Sequence, residues 1–199
     1  MPELPDERKR TVFLGLAFLV LLVLSSVENT VFFNVLESIF HNQFLAISTP
    51  SAREILINSL ILSGLFFANN VLFVSLILLG MTFYVNLVLN GFFKGKYEYI
   101  VLDHPRIFAI VFAIIVLFLS ILRTSTLVYG GVSIEDLPII LLISAPIGIV
   151  EGYGIYLTIK RTLSREMIMK SLAFIYVIFL IAAVMEVGFI NLLIWVTAG

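Results

Sequence analysis

The sequence predicts an all-α fold, a polytopic transmembrane helical bundle with five full spans plus an interfacial amphipathic helix and a re-entrant or tilted half-helix. Three observations carry that expectation. Hydrophobic residues make up 61% of the 199 residues and charged residues only 13%, about half the charged share of a soluble globular domain. The apolar residues fall in runs comparable to the roughly 20 residues a helix needs to cross hydrocarbon. The basic residues gather in short stretches between those runs. A soluble core of this size has too little interior to hide so much apolar surface, whereas a bilayer is itself an apolar solvent. Residues 1–199 therefore read as one membrane domain.

The first span, about 11–28, follows Glu7-Arg8-Lys9-Arg10. That start resembles a signal peptide, but the apolar run is long and no small-x-small site closes it, so it reads as a retained anchor. Residues 31–47 differ in kind. Asn34, Glu37, Ser38, His41 and Asn42 recur at helical spacing opposite Phe32, Phe33, Val35, Leu36, Ile39, Phe40 and Phe44. A helix with such a polar stripe belongs in the interface. Thr49-Pro50-Ser51 then breaks the chain, and Thr49 or Ser51 suits an N-cap, with Glu54 completing a capping box from Ser51.

From Ile55 to Phe93 the chain is almost wholly apolar. A single helix of that length would measure roughly 58 Å, nearly twice the hydrocarbon core, so a break, bend or partly interfacial course is expected. Positive charge decides how often it crosses, because cytoplasmic loops carry the excess of Lys and Arg. With one crossing, ten of the twelve basic residues fall inside: Arg8, Lys9, Arg10, Lys94, Lys96, Arg106, Lys160, Arg161, Arg165 and Lys170. Only Arg53 and Arg123 lie elsewhere. The crossing is placed at about 71–93, with 52–68 as the half-helix. The remaining spans fall at about 107–128, 137–159 and 171–195. The expectation is a multi-pass cell-membrane protein with a cytoplasmic amino terminus and an outward carboxy terminus.

Charged and amide groups are expensive in hydrocarbon, so each one inside a span is a candidate site. Glu151 and Glu186 lie near the middle of the last two spans and must face the bundle interior, pair, or stay protonated. Asn69, Asn70, Asn86 and Asn90 make the second span rich in amides that need partners. For the two carboxyls a structural role weighs most, with a proton or ion relay or a lipid or partner-helix site as alternatives; for the amides, hydrogen bonds to neighbouring helices or half-helix ends weigh most, with a cation site as the alternative. Glu28 and Arg123, near the outer ends of their spans, form a possible ion pair or each snorkel to water. Ser144, Gly148 and Gly152 recur at intervals of four, a spacing that lets helix backbones approach closely within a protomer or across a homodimer.

Several chemistries lack equipment. His41 and His104 have no further ligand at metal spacing, and there are no cysteines, so neither a metal nor a cofactor is expected. No nucleophile elbow, zinc-binding His-Glu-x-x-His or phosphate loop occurs. The net charge of −1 disfavours nucleic acid as a partner.

Asn69-Asn70, Gly80, Asn90-Gly91 and Gly95, then Pro146-Ile147-Gly148-Ile149-Val150-Glu151, then Ala182-Ala183-Val184-Met185-Glu186 occur in an order that resembles the stage II sporulation protein M family. That family carries a paired Asn, mid-span Gly, an Asn-Gly-x-x-x-Gly ending and a Pro-His-Gly-x-x-Glu element. The resemblance covers about residues 69–195, and Ile147 stands where the family has His. It implies a membrane scaffold, since the namesake recruits cell-wall hydrolases to a septal membrane. On that basis the expected function is a non-enzymatic scaffold whose partners are membrane lipids and other membrane or envelope proteins. The competing expectation is a small transporter or channel using Glu151 and Glu186.

Overall fold

The structure, a computed structural model, describes residues 9–25, 34, 52–89, 100–129 and 137–198. All regular structure among them is helical. Helix α1 covers residues 9–25, α2 Ala52–Leu89, α3 Ile100–Asp103, α4 Pro105–Tyr129, α5 Leu137–Leu163 and α6 Met169–Ala198. The expected interfacial helix at 31–47 lies outside the described residues, apart from Asn34.

Two sequence expectations are corrected. The first is the division of residues 52–93 into a half-helix and a span. Instead, 38 residues form one helix, α2, roughly 57 Å long at 1.5 Å per residue. Nothing local breaks it: residues 52–89 contain no proline, and the Asn69-Asn70 pair is accommodated because Asn70 finds a partner across the bundle. The second is the count of five full spans. Among the described residues two helices are long and apolar enough to cross a membrane, Leu56–Leu89 and Met169–Phe189. Among the described residues α4 also offers the shorter apolar stretch Pro105–Phe118, and the carboxy-terminal half of α5 carries Glu151, Lys160 and Arg161.

Helix α5 is central: it packs against α4, α2 and α6, and α2 also packs against α6. Cross-contacts give the directions. Asn191 meets Ser59 and Ser75 meets Tyr176, so α2 and α6 run antiparallel. Gly15 lies against Phe83 and Gly80 against Phe18, so α1 also runs antiparallel to α2. The amino-terminal half of α4 shares a core cluster with the carboxy-terminal half of α5, and α5 turns back into α6 through residues 164–168. As a result Lys9, Arg10, Arg106, Lys160, Arg161, Arg165 and Lys170 all lie at one end of the bundle. The backbones of Arg53 and Arg123 lie toward the opposite ends of their helices.

Local chemistry sets the helix ends. Pro105 occupies the first turn of α4, where a missing N–H costs nothing, and the His104 carbonyl accepts the first bond, from Phe108 N at 3.2 Å. Helix α5 ends in a Schellman motif. Glu166 N donates to Arg161 O at 2.8 Å and Arg165 N to Thr162 O at 3.1 Å. Arg165 adopts the left-handed conformation there, with φ of 57°.

The tightest packing is between α5 and α6. A Cβ on Gly154 would come within 2.6 Å of Phe179 Cε2 and 2.8 Å of Cζ, and Phe179 is only 1% exposed. One and two turns on, Thr158 and Thr162 continue the same buried stripe, each hydroxyl donating to a carbonyl of its own helix, Gly154 O at 2.8 Å and Thr158 O at 2.6 Å. Outside this core the bundle is apolar. Phe13 is 70% exposed, Ile114 62% and Val184 54%. Only 22% and 33% of the apolar windows of α2 and α6 are buried, the reverse of a core helix in a soluble protein.

Candidate functional site

The site is built at the middle of three helices. Asn70 lies near the midpoint of α2, Glu151 near that of α5 and Glu186 near that of α6. Asn70 is 9% exposed, and its Nδ2 donates to Glu151 Oε1 at 3.4 Å. The Glu186 carboxyl lies close enough to Glu151 for the two charges to interact. An amide donor between helices is what such a place requires, because an unpaired polar group in hydrocarbon costs several kcal/mol. Two carboxyls within electrostatic reach on different helices repel when both are ionised, while the bond from Asn70 ties α2 to α5.

Two further polar ties flank this junction along α2 and α6. Asn191 Nδ2 donates to Ser59 Oγ at 2.8 Å, on the side away from the basic end. Ser75 Oγ and Tyr176 Oη lie 3.4 Å apart, on the side toward it. The α2–α6 pair is thus polar at two levels, one on either side of the α2–α5 bond between Asn70 and Glu151, within an otherwise apolar contact.

No family model, curated protein or solved structure matches the chain.

Of the sequence candidates, the structure brings together Asn70, Glu151 and Glu186. Asn69 is half-buried beside the junction. Asn86 is not part of it: its amide donates to Thr82 O in its own helix at 2.8 Å. Asn90 and Glu28 lie outside the described residues, as do the side chains of Arg123 and Ser144. Gly148 is buried, and Gly152 faces Leu117 of α4 at an ordinary contact of 3.4 Å. Among the described residues no three His, Cys, Asp or Glu side chains gather as a metal would need.

Sequence reasoning passed over Ser59, Ser75, Tyr176 and Asn191, and also Gly154. The signals were present. Asn191 and Tyr176 are isolated polar groups in an apolar run, and Gly154-x-x-x-Thr158-x-x-x-Thr162 is a small-residue stripe as regular as Ser144-Gly148-Gly152.

Proposed function

We propose that this chain is a non-enzymatic integral membrane protein, crossing the bilayer with α2 and α6, that organises partner proteins through the apolar outer faces of its helices. One observation carries the reading: Asn70 and Glu151, Ser59 and Asn191, and Ser75 and Tyr176 are committed to one another inside the bundle, while the outer face of α6 offers the apolar side chains of Phe174, Val177, Leu180, Ile181 and Val184. Such a surface recognises lipid tails and other membrane helices, including a second copy of this chain, and not nucleic acid. The scaffold class is also what the resemblance to the stage II sporulation protein M family implies. The basic end faces the cytoplasm, following the excess of Lys and Arg in cytoplasmic segments, with the start of α1 inside and the end of α6 outside.

The test is affinity purification from native membranes. A partner retained at fixed stoichiometry, and lost when Leu180 and Val184 are replaced by Ser, is the expected result. A chain that purifies alone under conditions that preserve other membrane complexes refutes the scaffold.

A second reading has its own observation, the meeting of two carboxyls and a buried amide at mid-length. As a small transporter or channel, the protein would pass protons or cations across that junction. Reconstituted vesicles loaded with a pH dye distinguish the two: flux abolished by Glu151→Gln supports transport, and vesicles as tight as protein-free ones support the scaffold.

A further inference from the structure

The turn between α5 and α6 has a feature that the scaffold reading does not use. A shallow, open depression of about 540 Å³ lies there, lined by Arg161, Glu166, Ile168, Lys170, Ser171 and Phe174. Residues 160–170 carry four cations, Lys160, Arg161, Arg165 and Lys170, against the one carboxylate of Glu166. Among the described residues nothing forms an ion pair with Arg161, Arg165 or Lys170. Lys160 instead sits 5.8 Å from the Tyr156 ring centroid. Large apolar side chains stand exposed beside the charge: Ile168 at 60%, Met169 at 80% and Phe174 at 49%.

Cations that form no ion pair among the described residues, with exposed apolar groups beside them on one concave surface, match an amphiphile with an anionic head. Inorganic phosphate has no use for Phe174, and a soluble acidic peptide has none for a depression at the mouth of an apolar helix. The position agrees, since α6 begins its apolar run within this turn and the rest of the basic end lies level with it. We propose that this depression binds the headgroup of an anionic phospholipid, with Arg161 and Lys170 on the phosphate and Ile168 and Phe174 along the acyl chains. The proposal rests on the reading that α6 crosses the bilayer.

Arg165 adds charge from a strained position. Its left-handed φ of 57° is one at which a helix ending in a Schellman motif usually places glycine. Arg165→Gly therefore removes a cation while relaxing the backbone, so weakened binding in this variant cannot be attributed to misfolding.

The experiment uses the full chain in dodecyl maltoside micelles doped with phosphatidylglycerol or phosphatidylcholine, read by thermal unfolding. Phosphatidylglycerol raises the melting temperature in a manner weakened by salt, and phosphatidylcholine does not. Apparent affinity falls about fivefold for each of Arg161→Gln and Lys170→Gln, and by less for Arg165→Gly, whose charge stands in the same turn but outside the lining of the depression. Arg106→Gln, at the same end but outside the depression, leaves it unchanged. Equal responses to the two lipids overturn the site. So does an equal loss in Arg106→Gln, which would mean a diffuse basic surface, or a full response to sodium phosphate or glycerol 3-phosphate, which would mean a soluble anion. Alkaline carbonate extraction separates the two levels of the argument. Release of the chain from membranes refutes the crossing of α6 and this site with it, whereas retention without lipid preference refutes the headgroup site alone.

Discussion

Gly154→Ala adds a single methyl at the closest approach in the bundle. The new Cβ would lie 2.6 Å from Phe179 Cε2, 2.8 Å from Cζ and 3.3 Å from Ile178 Cγ2, where van der Waals contact needs about 3.5–4.0 Å. The first two distances fall short by roughly 1 Å. The ring of Phe179 is 1% exposed and Ile178 6%, so neither moves without displacing other buried groups. Overpacking of this kind costs about 1–3 kcal/mol, set against at most about 1 kcal/mol gained by replacing a helical glycine with alanine. For a chain of this size each kcal/mol moves the midpoint by about 2–4 °C, so a fall of several degrees is expected in detergent. Gly64→Ala is the matched control, because a Cβ there meets nothing within 4 Å; it should hold or raise the midpoint. Phe179→Leu in the Gly154→Ala background should recover part of the loss. A Gly154→Ala melt equal to or above that of the parent, or losses that simply add in the double variant, would refute the close α5–α6 contact.

Three other outcomes are expected. Asn70→Ala should destabilise by about 1–2 kcal/mol through loss of the donor to Glu151, and this loss should shrink in a Glu151→Leu background, which has no acceptor; additivity of the two would mean that they do not interact. Asn191→Ala should cost less, about 0.6 kcal/mol, the typical worth of an interhelical hydrogen bond in a membrane bundle, and a loss as large as that at Asn70 would contradict the ordering. Because the chain has no cysteine, single cysteines at Arg106, Arg165 and Ala198 report sidedness without background. A membrane-impermeant maleimide on intact cells should label the last and spare the first two, and labelling of Arg165→Cys from outside would overturn the orientation.

What the sequence determined by itself was everything governed by local periodicity and by solvent. Backbone hydrogen bonds in hydrocarbon must be met within the segment, so long apolar runs could only be helices, and α4, α5 and α6 begin within two residues of their expected starts. Glu151 and Glu186 stood out because carboxylates are rare and expensive among apolar residues. Tertiary structure decided the rest. Helices that are apolar on nearly every side carry little pattern to say which face meets which neighbour. The sequence therefore could not tell Asn70, which reaches Glu151, from Asn86, which turns back on its own helix. It could not rank Gly154 above Gly152, because the difference lies in what stands opposite, Phe179 in one case and Leu117 in the other. The division of residues 52–89 failed for the same reason: it came from bilayer thickness, while continuity of α2 depends on packing against α5 and α6 and on Asn70 finding a partner 81 residues away.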